Sequence, residues 1–395
     1  MKEFTGYRRK DGHIGVRNHV AVIPTSITSS KIAEQIANNA GESARATPHQ
    51  MGSSQPKDIR EQTERTLIGT GKNPNVAAAL VVELGTEDID AGRVADKIAT
   101  SGKPVETLAI RDVGGTRNAI DAGEKLVSEL ASHAAEARRE SADVSELIVA
   151  VECGGSDATS GIAANPAVGN ACDRIIEGGG TACFSETPEF IGAEHILAER
   201  CVEDSVRERL LDRVEMREEM AQLMGVDMRG AQPTPGNQDG GLTTIEEKSL
   251  GAISKGGTSP VQGMVDYAES LPTNGGLVLM DTPGYDVESV VGMVAGGAQI
   301  VVFTTGRGST TGNPIAPVIK VTGNPKTWSR MANNMDINAS TIIEGDSLRD
   351  VGKRIYDSIH DVADGIWTEA EKRKLEEYAI NEIQPNELAE LRSGV

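Results

Sequence analysis

Six short runs rich in β-branched residues recur along the chain: HVAVIP (19–24), AALVVEL (78–84), ELIVAVEC (146–153), GLVLMDT (276–282), QIVVFTT (299–305) and APVIKVTG (316–323). They are nearly unbroken apolar stretches rather than alternating ones, as strands covered on both faces must be. Stretches long enough for helices separate them. Strand–helix alternation of this kind predicts an α/β fold with a doubly wound, mainly parallel sheet. Asn165-Pro166, Thr187-Pro188 and Asn324-Pro325 each place a capping side chain before a proline, the signature of a helix opening. Thr368 and Glu371 form a capping box for the last long helix. A polar helix over 117–145 closes the first part of the chain. The expected division is therefore near 142: a smaller α/β domain over 1–142 and a larger α/β domain over 143–395. The charged stretch 203–222 reads as a solvated helix whose charges are structural.

A chain of 395 residues suits two domains better than one core. Only 3% of it is aromatic, so packing must rest on Val, Ile, Leu, Ala and Met. The net charge of −20 argues against a nucleic-acid partner, because phosphate would be repelled. The excess is spread along the chain, which suits a salt-adapted, halophilic surface or a strongly acidic cytosolic one. No basic segment precedes an apolar stretch at the start, and no run of about 20 apolar residues occurs, so neither a signal peptide nor a membrane span is expected. Cys153, Cys172, Cys183 and Cys201 show no C-x-x-C spacing. Reduced thiols in a cytoplasmic protein are the expectation.

The chemistry-bearing residues cluster where strands end. TTGRGSTTGNP (304–314) follows a predicted strand, but Gly306, Gly308 and Gly312 are spaced one residue too widely for a dinucleotide fingerprint, and another strand follows rather than a helix. The loop can still cradle an anion, with Arg307 binding a carboxylate bidentately; it can equally be a tight turn with a solvated arginine. Lys320 interrupts the apolar run PVIKV, so it must reach the sheet's end, pair with a buried acid or bind a substrate carboxylate. MDTPGYD (280–286) sets Asp281 and Asp286 across a turn, which suits a divalent cation or proton transfer; Asp286 also reads as a helix cap. ECGGSDATSG (152–161) brings Cys153, Ser156 and Asp157 to a loop, and SETPE (185–189) brings Glu186. His195 lies within the next helix, and His49 within a Gly/Ser/Gln-rich loop that reads as exposed. Glu246, Glu247 and Lys248 sit between two glycine-rich turns in PGNQDGGLTTIEEKSLGAISKGGTSP (235–260). In a doubly wound sheet, four or more such strand ends converge on one edge, and the glycines let several loops crowd round one small ligand.

Eight ordered segments carry a resemblance across almost the whole chain: GYRRKDGHIGVRNHVAVIP (6–24), NPNVAAALVVELG (73–85), CGGSDATSGIAANPAVG (153–169), SETPEFIGAEHIL (185–197), PGNQDGGLTTIEEKSLG (235–251), MDTPGYDVESVVGMVAGGAQ (280–299), FTTGRGSTTGNPIAPVIKVTGNP (303–325) and NMDINASTI (334–342). The chain is similar to the altronate/galactarate dehydratase family. That resemblance implies metal-assisted, usually Fe2+-dependent, elimination of water from a sugar acid. It also implies a Rossmann-like C-terminal catalytic domain and a preceding domain that takes part in dimerisation. The family further includes sulfolactate sulfo-lyase large subunits, which expel sulfite. Many members begin with a small β-clip (SAF-type) domain. This chain starts directly at GYRRKDG, like members whose small domain is a separate subunit. Positions associated with cysteine in dehydratase members hold Thr28, Ser53, Thr86, Asn313 and Ala339 here, while Cys153 remains.

The resulting expectation is a lyase acting on a small 2-hydroxy acid. Arg307 and Lys320, with Ser156 and Asn313, hold the substrate. Glu186, Glu246, Asp281, Asp286 and Cys153 supply ligands to a divalent metal. Lys248, His195, Asp157 and Glu247 carry protons, with Lys248 or His195 as the base. Water is the expected leaving group, sulfite the alternative, and a non-catalytic sugar-acid-binding subunit a second alternative.

Overall fold

The computed structural model describes residues 3–382. Fourteen strands fall into three sheets among the described residues. In chain order they are β1 (Phe4–Arg8), β2 (Ile14–Gly15), β3 (His19–Pro24), β4 (Ala44–Ala46), β5 (Val76–Glu83), β6 (Val105–Ala109), β7 (Arg139–Ala142), β8 (Ile148–Gly154), β9 (Thr181–Phe184), β10 (Val261–Val265), β11 (Gly276–Met280), β12 (Ile300–Thr305), β13 (Val318–Thr322) and β14 (Ile337–Asn338). A four-stranded sheet has the order β4-β3-β5-β6 and a seven-stranded sheet the order β10-β11-β9-β8-β12-β13-β14. Both are parallel throughout. A small antiparallel sheet, β2-β1-β7, joins the start of the chain to the segment just before β8.

All six apolar runs are strands, with edges shifted by a residue or two. The structure adds eight more that are short or polar, such as β6, whose pattern VETLA carries two exposed residues. The helix expected over 117–145 covers Thr116–Ala134 and is followed by β7. Asn324 does cap its helix, accepting from Lys326 and Thr327. Asn165 does not open one: a π-helical turn, Ser160–Ala164, runs straight into helix Asn165–Glu177, and the Asn165 amide bonds Gly251 instead. Thr187 spends its hydroxyl on Asp281 rather than on a cap. The capping box of Thr368 and Glu371 is present, but on the four-residue helix Glu369–Lys372.

Side-chain alternation along the seven-stranded sheet assigns its two faces. Val149, Val151, Val302, Ile319 and Val321 face helices Asn165–Glu177 and Leu348–Ala363. Ala150, Val301, Phe303 and Val318 face the other way, into a core shared with Ala21, Ile23, Ala79 and Val81 of the four-stranded sheet. Helices Lys57–Lys72 and Asp286–Ala295 pack against each other within that shared core. Val20, Val22, Leu80 and Val82 cover the remaining face with helices Ile27–Ala40 and Thr116–Ala134. The layers therefore alternate helix, sheet, helices, sheet, helix, and the middle layer belongs to both halves.

Buried amides lock that seam. Asn73 donates to the carbonyls of Val294 and Ala298, Asn75 to those of Gln299 and Ile315, and Gln299 to those of Ile14 and Glu146. These groups would be costly to bury unpaired, so each bond fixes how the two halves sit.

Candidate active site

The parallel register sends the ends of β8, β9, β11 and β12 to one edge of the larger sheet, where open α/β sheets place their ligands. β8 carries Glu152 and Cys153 just before its last residue, Gly154. β9 is followed by a short 3-10 turn, Thr187–Phe190, bearing Glu189, with Glu186 immediately before it. β11 leads to helix Asp286–Ala295, whose first turn supplies Asp286. A fourth contribution comes from helix Ile245–Ile253 and the turn Ser254–Gly256, which carry Lys248 and Lys255.

Lys255 is completely buried, and its Nζ lies 3.0 Å from Cys153 Sγ, 2.9 Å from Glu186 Oε2 and 3.3 Å from Glu189 Oε2. Cys153 Sγ donates to Glu189 Oε2 at 3.0 Å. Lys248 Nζ sits 3.4 Å from the other Glu189 oxygen. On the neighbouring side, ligand oxygens of Glu152, Glu186 and Asp286 lie within 4.8 Å of one another. Close approach requires glycine at 154, since any Cβ there would collide with the Asp286 carboxylate. Glu186 itself has φ +69°, a left-handed conformation that L-residues adopt at a cost and that concentrates at functional sites.

Charges in this cluster are strongly perturbed. Burial, then Glu152 and Glu189, pushes the Glu186 carboxyl well above its usual range. Glu189 is also buried, but Lys255 and Lys248 outweigh that and hold it low. Burial, with Glu152 and Glu189, pushes Asp286 up to about 7. Burial, then Glu189, raises the Cys153 thiol to about 12. Burial opposes charge on Lys255, yet Cys153, Glu186 and Glu189 more than compensate, so its amine is raised well above the ordinary value. Lys248 is raised in the same way, mainly by Glu189.

A cavity of about 230 Å3 opens beside the cluster, lined among others by Ser156, Asp157, Ser160, Asn165, Glu247 and Lys248. Lys248 links the two, being both wall of the cavity and partner of Glu189. A larger hollow of about 420 Å3 beside Arg45 and Glu376 holds none of these groups.

The structure thus gathers Cys153, Glu186, Asp286 and Lys248 as expected, and Ser156, Asp157 and Glu247 at the cavity. Asp157 Oδ1 accepts from Thr159 and Ser160 and Oδ2 from Asn324, so it ties loops together rather than carrying a free lone pair. Glu247 accepts from Thr243 at the start of its helix, and Glu246 is exposed, outside the carboxylate cluster. Asp281 is buried against Arg217, whose Nη2 lies 2.9 Å away, and is neutralised there instead of facing the cluster. Arg217 comes from the helix read as wholly solvated, Asp204–Leu223. His195 is exposed on its helix. Arg307 lies past the end of β12, exposed, and donates to the Gly236 carbonyl. Lys320 is buried within β13 on the face shared with Phe303, and the Asn313 oxygen accepts from Ile315 and Ala316. Arg307 and Lys320 thus occupy different places, one beyond the sheet and one inside it. Thr28, Ser53 and Thr86 are exposed past the ends of β3, β4 and β5, at the edge of the other sheet, and Ala339 is buried after β14. All four Cys residues are free and buried.

Sequence reasoning missed Glu152, Glu189 and Lys255. Glu152 had a signal, an acid at the end of an otherwise apolar strand. Glu189 and Lys255 had none beyond their neighbours, because only the tertiary fold turns them inward.

Comparison with known proteins finds relatives over nearly the whole chain. The family model for the D-galactarate/altronate dehydratase C-terminal region matches residues 144–386, and that for the D-galactarate dehydratase/altronate hydrolase second domain matches residues 6–135. The chain belongs to this family. It is 41% identical to (2R)-sulfolactate sulfo-lyase subunit beta of Chromohalobacter salexigens, over 97% of this chain and 98% of that one. It is 34% identical to the altronate dehydratase of Bacillus subtilis, over 96% of this chain and 77% of the relative. Galactarate dehydratase (L-threo-forming) of Escherichia coli is 36% identical over 76% of this chain and 59% of its own length. These relatives are lyases, and the present chain is an enzyme of that class.

Proposed function

We propose that this lyase eliminates a group from the carbon next to that bearing the hydroxyl of a small 2-hydroxy acid, and that a divalent cation assists. The observation that carries the reading is the convergence of Glu152, Glu186 and Asp286, whose ligand oxygens lie within 4.8 Å of one another at the sheet edge. The donor set fits such an ion. In the alternative triad of Cys153, Glu186 and Glu189 the Lys255 ammonium already reaches all three groups, whereas of the three carboxylates it reaches Glu186. All-oxygen sites suit hard ions of the Mg2+, Mn2+ and Fe2+ kind, and Fe2+ is our choice from the family resemblance. Glu152, Glu186 and Asp286 would hold it. When bound, the ion supplies positive charge beside oxygens that become electron-rich as the α-proton leaves.

The remaining roles follow from charge. Lys248, expected as a base, is held as an ammonium by Glu189, so it suits binding a substrate carboxylate or assisting the leaving group. The α-proton then goes to a carboxylate of the cluster rather than to an amine. The C2–H bond breaks, C2=C3 forms, and the electron pair of the C3–X bond departs with X. The enol so formed becomes a 2-keto acid.

Two leaving groups fit. Sulfite is supported by the 41% identity to the sulfo-lyase subunit over 97% of this chain and 98% of that one, and by the small cavity. Water is supported by the altronate and galactarate dehydratases. We further propose a separate small subunit, supported by the name "subunit beta" of the first relative. A Rossmann-like reading of the larger sheet, a boundary near 142, a homo-oligomer and a cytoplasmic, halophilic setting complete the proposal. The test is to incubate the reduced, Fe2+-loaded chain with sulfolactate, altronate and galactarate. Sulfite with pyruvate supports the first leaving group, and a 2-keto-3-deoxy acid the second. Failure of all three to be turned over or to raise the melting temperature overturns the reading.

A further inference from the structure

Behind the carboxylates lies a buried chain of hydroxyls that the reaction itself does not consume. The backbone N–H of Glu186 donates to Thr282 Oγ1 at 2.8 Å. Thr282 Oγ1 donates to Ser289 Oγ at 3.0 Å, and Ser289 Oγ donates to Glu152 Oε2 at 2.5 Å. Ser185 Oγ lies 2.6 Å from Ser289 Oγ and 3.3 Å from Glu152 Oε2. Glu152, Ser185, Thr282 and Ser289 are all completely buried.

The two ends of this chain have fixed directions, a peptide N–H that donates and a carboxylate that accepts. A peptide N–H can only donate, so Thr282 accepts from it, and the Thr282 hydroxyl faces two acceptors, Ser289 Oγ at 3.0 Å and the Pro283 carbonyl at 3.2 Å. Ser289, whose proton goes to Glu152, can accept from Thr282. Helical spacing matters as well: Ser289 stands three residues after Asp286, on the same side of helix Asp286–Ala295, so one helix face meets Glu152 twice.

We infer that Ser289, through Thr282, is a positioning residue: it aligns Glu152 and ties it to the left-handed Glu186 peptide, so that two of the three cation ligands are set by one hydroxyl chain. This rests on the cation reading above. Outer-shell partners of ligating carboxylates commonly tune affinity by 10–100-fold.

The experiment measures Mn2+ binding to the full reduced chain by calorimetry and by the paramagnetic signal of the free ion. Ser289→Ala should weaken Mn2+ binding by about 10-fold or more, and Thr282→Val should weaken it less. Ser289→Thr, which restores the hydroxyl, should recover affinity. Combined with Glu152→Gln, Ser289→Ala should add no further loss, because its effect runs through Glu152. Melting of the cation-free variants separates folding from positioning: equal melting with weaker binding supports the role, and an affinity loss only in proportion to lost folded protein overturns it. Wild-type affinity in Ser289→Ala overturns the hydroxyl chain alone. A wild-type chain that binds no divalent ion overturns the cation reading with it.

Discussion

His49 shows how one side chain can reverse a sequence reading. Its glycine- and serine-rich loop predicts exposure, yet it is 3% exposed, with Nε2 donating to the Pro24 carbonyl and Nδ1 accepting from the Met51 amide. Burial lowers its pKa to about 4. The unfolded chain binds this proton near pH 6.5, so the stability from neutral His49 is complete above that value and is lost as pH falls toward 4. The span of both values corresponds to about 3 kcal/mol. Melting curves from pH 7 to pH 4 should therefore steepen through this window, and His49→Gln should flatten that part of the profile. An unchanged profile would mean that another group governs it. Lys255 makes the opposite case, since it is buried charged. Lys255→Met should cost about 3 kcal/mol, because Cys153, Glu186 and Glu189 lose the ammonium between them. Undiminished denaturant stability would show that these acids are neutral without it.

At the scale of elements, the site depends on how closely a helix and a turn approach. Gly169 in helix Asn165–Glu177 packs against the turn that carries Lys255, and a Cβ there would strike the Ser254 carbonyl. Gly256 in that turn packs on the Phe184 ring. Gly169→Ala should therefore destabilise by about 1–3 kcal/mol and move Lys255 away from its partners. Gly52→Ala, where nothing lies within 4 Å, serves as the control and should change stability little. Urea unfolding of both variants, with bound Mn2+, checks this; equal behaviour would deny the turn its role. The π-helical turn Ser160–Ala164 also packs closely, with Gly161 against Gly251 of the helix bearing Lys248. One wall of the cavity is thus built on two glycines facing each other.

The whole molecule is held together by its middle layer. Asn75 accepts from the backbone N–H groups of Val16 and Arg17 and donates to carbonyls of Gln299 and Ile315. Arg17 bonds Glu371 at 2.6 Å and the carbonyls of Val362 and Ile366. With a shared core beneath these bonds, the two sheets should unfold together. Calorimetry of the wild-type chain should give one transition, and Asn75→Leu should lower stability by about 3 kcal/mol or more, because several buried groups lose partners. Two separate wild-type transitions would show that each half folds alone.

The apolar runs by themselves determined the α/β class, the six long strands and the edge where chemistry would gather, because burial on both faces and strand direction are written in local pattern. Strand ends also brought Cys153, Glu186 and Asp286 to notice, and the two glycine-rich turns of 235–260 brought Lys248. Local pattern carries no information about which face of a turn looks inward. Asp281 and Asp286 read alike in MDTPGYD, yet Arg217, about 65 residues earlier, neutralises the first and leaves the second to the cluster. Lys248 drew notice in the sequence and Lys255, in the same segment, did not, yet it is the second that is completely buried, against Cys153, Glu186 and Glu189. Those choices were made by packing between segments far apart in the chain, where the cost of burying a charge is met or not met by what the fold places opposite it.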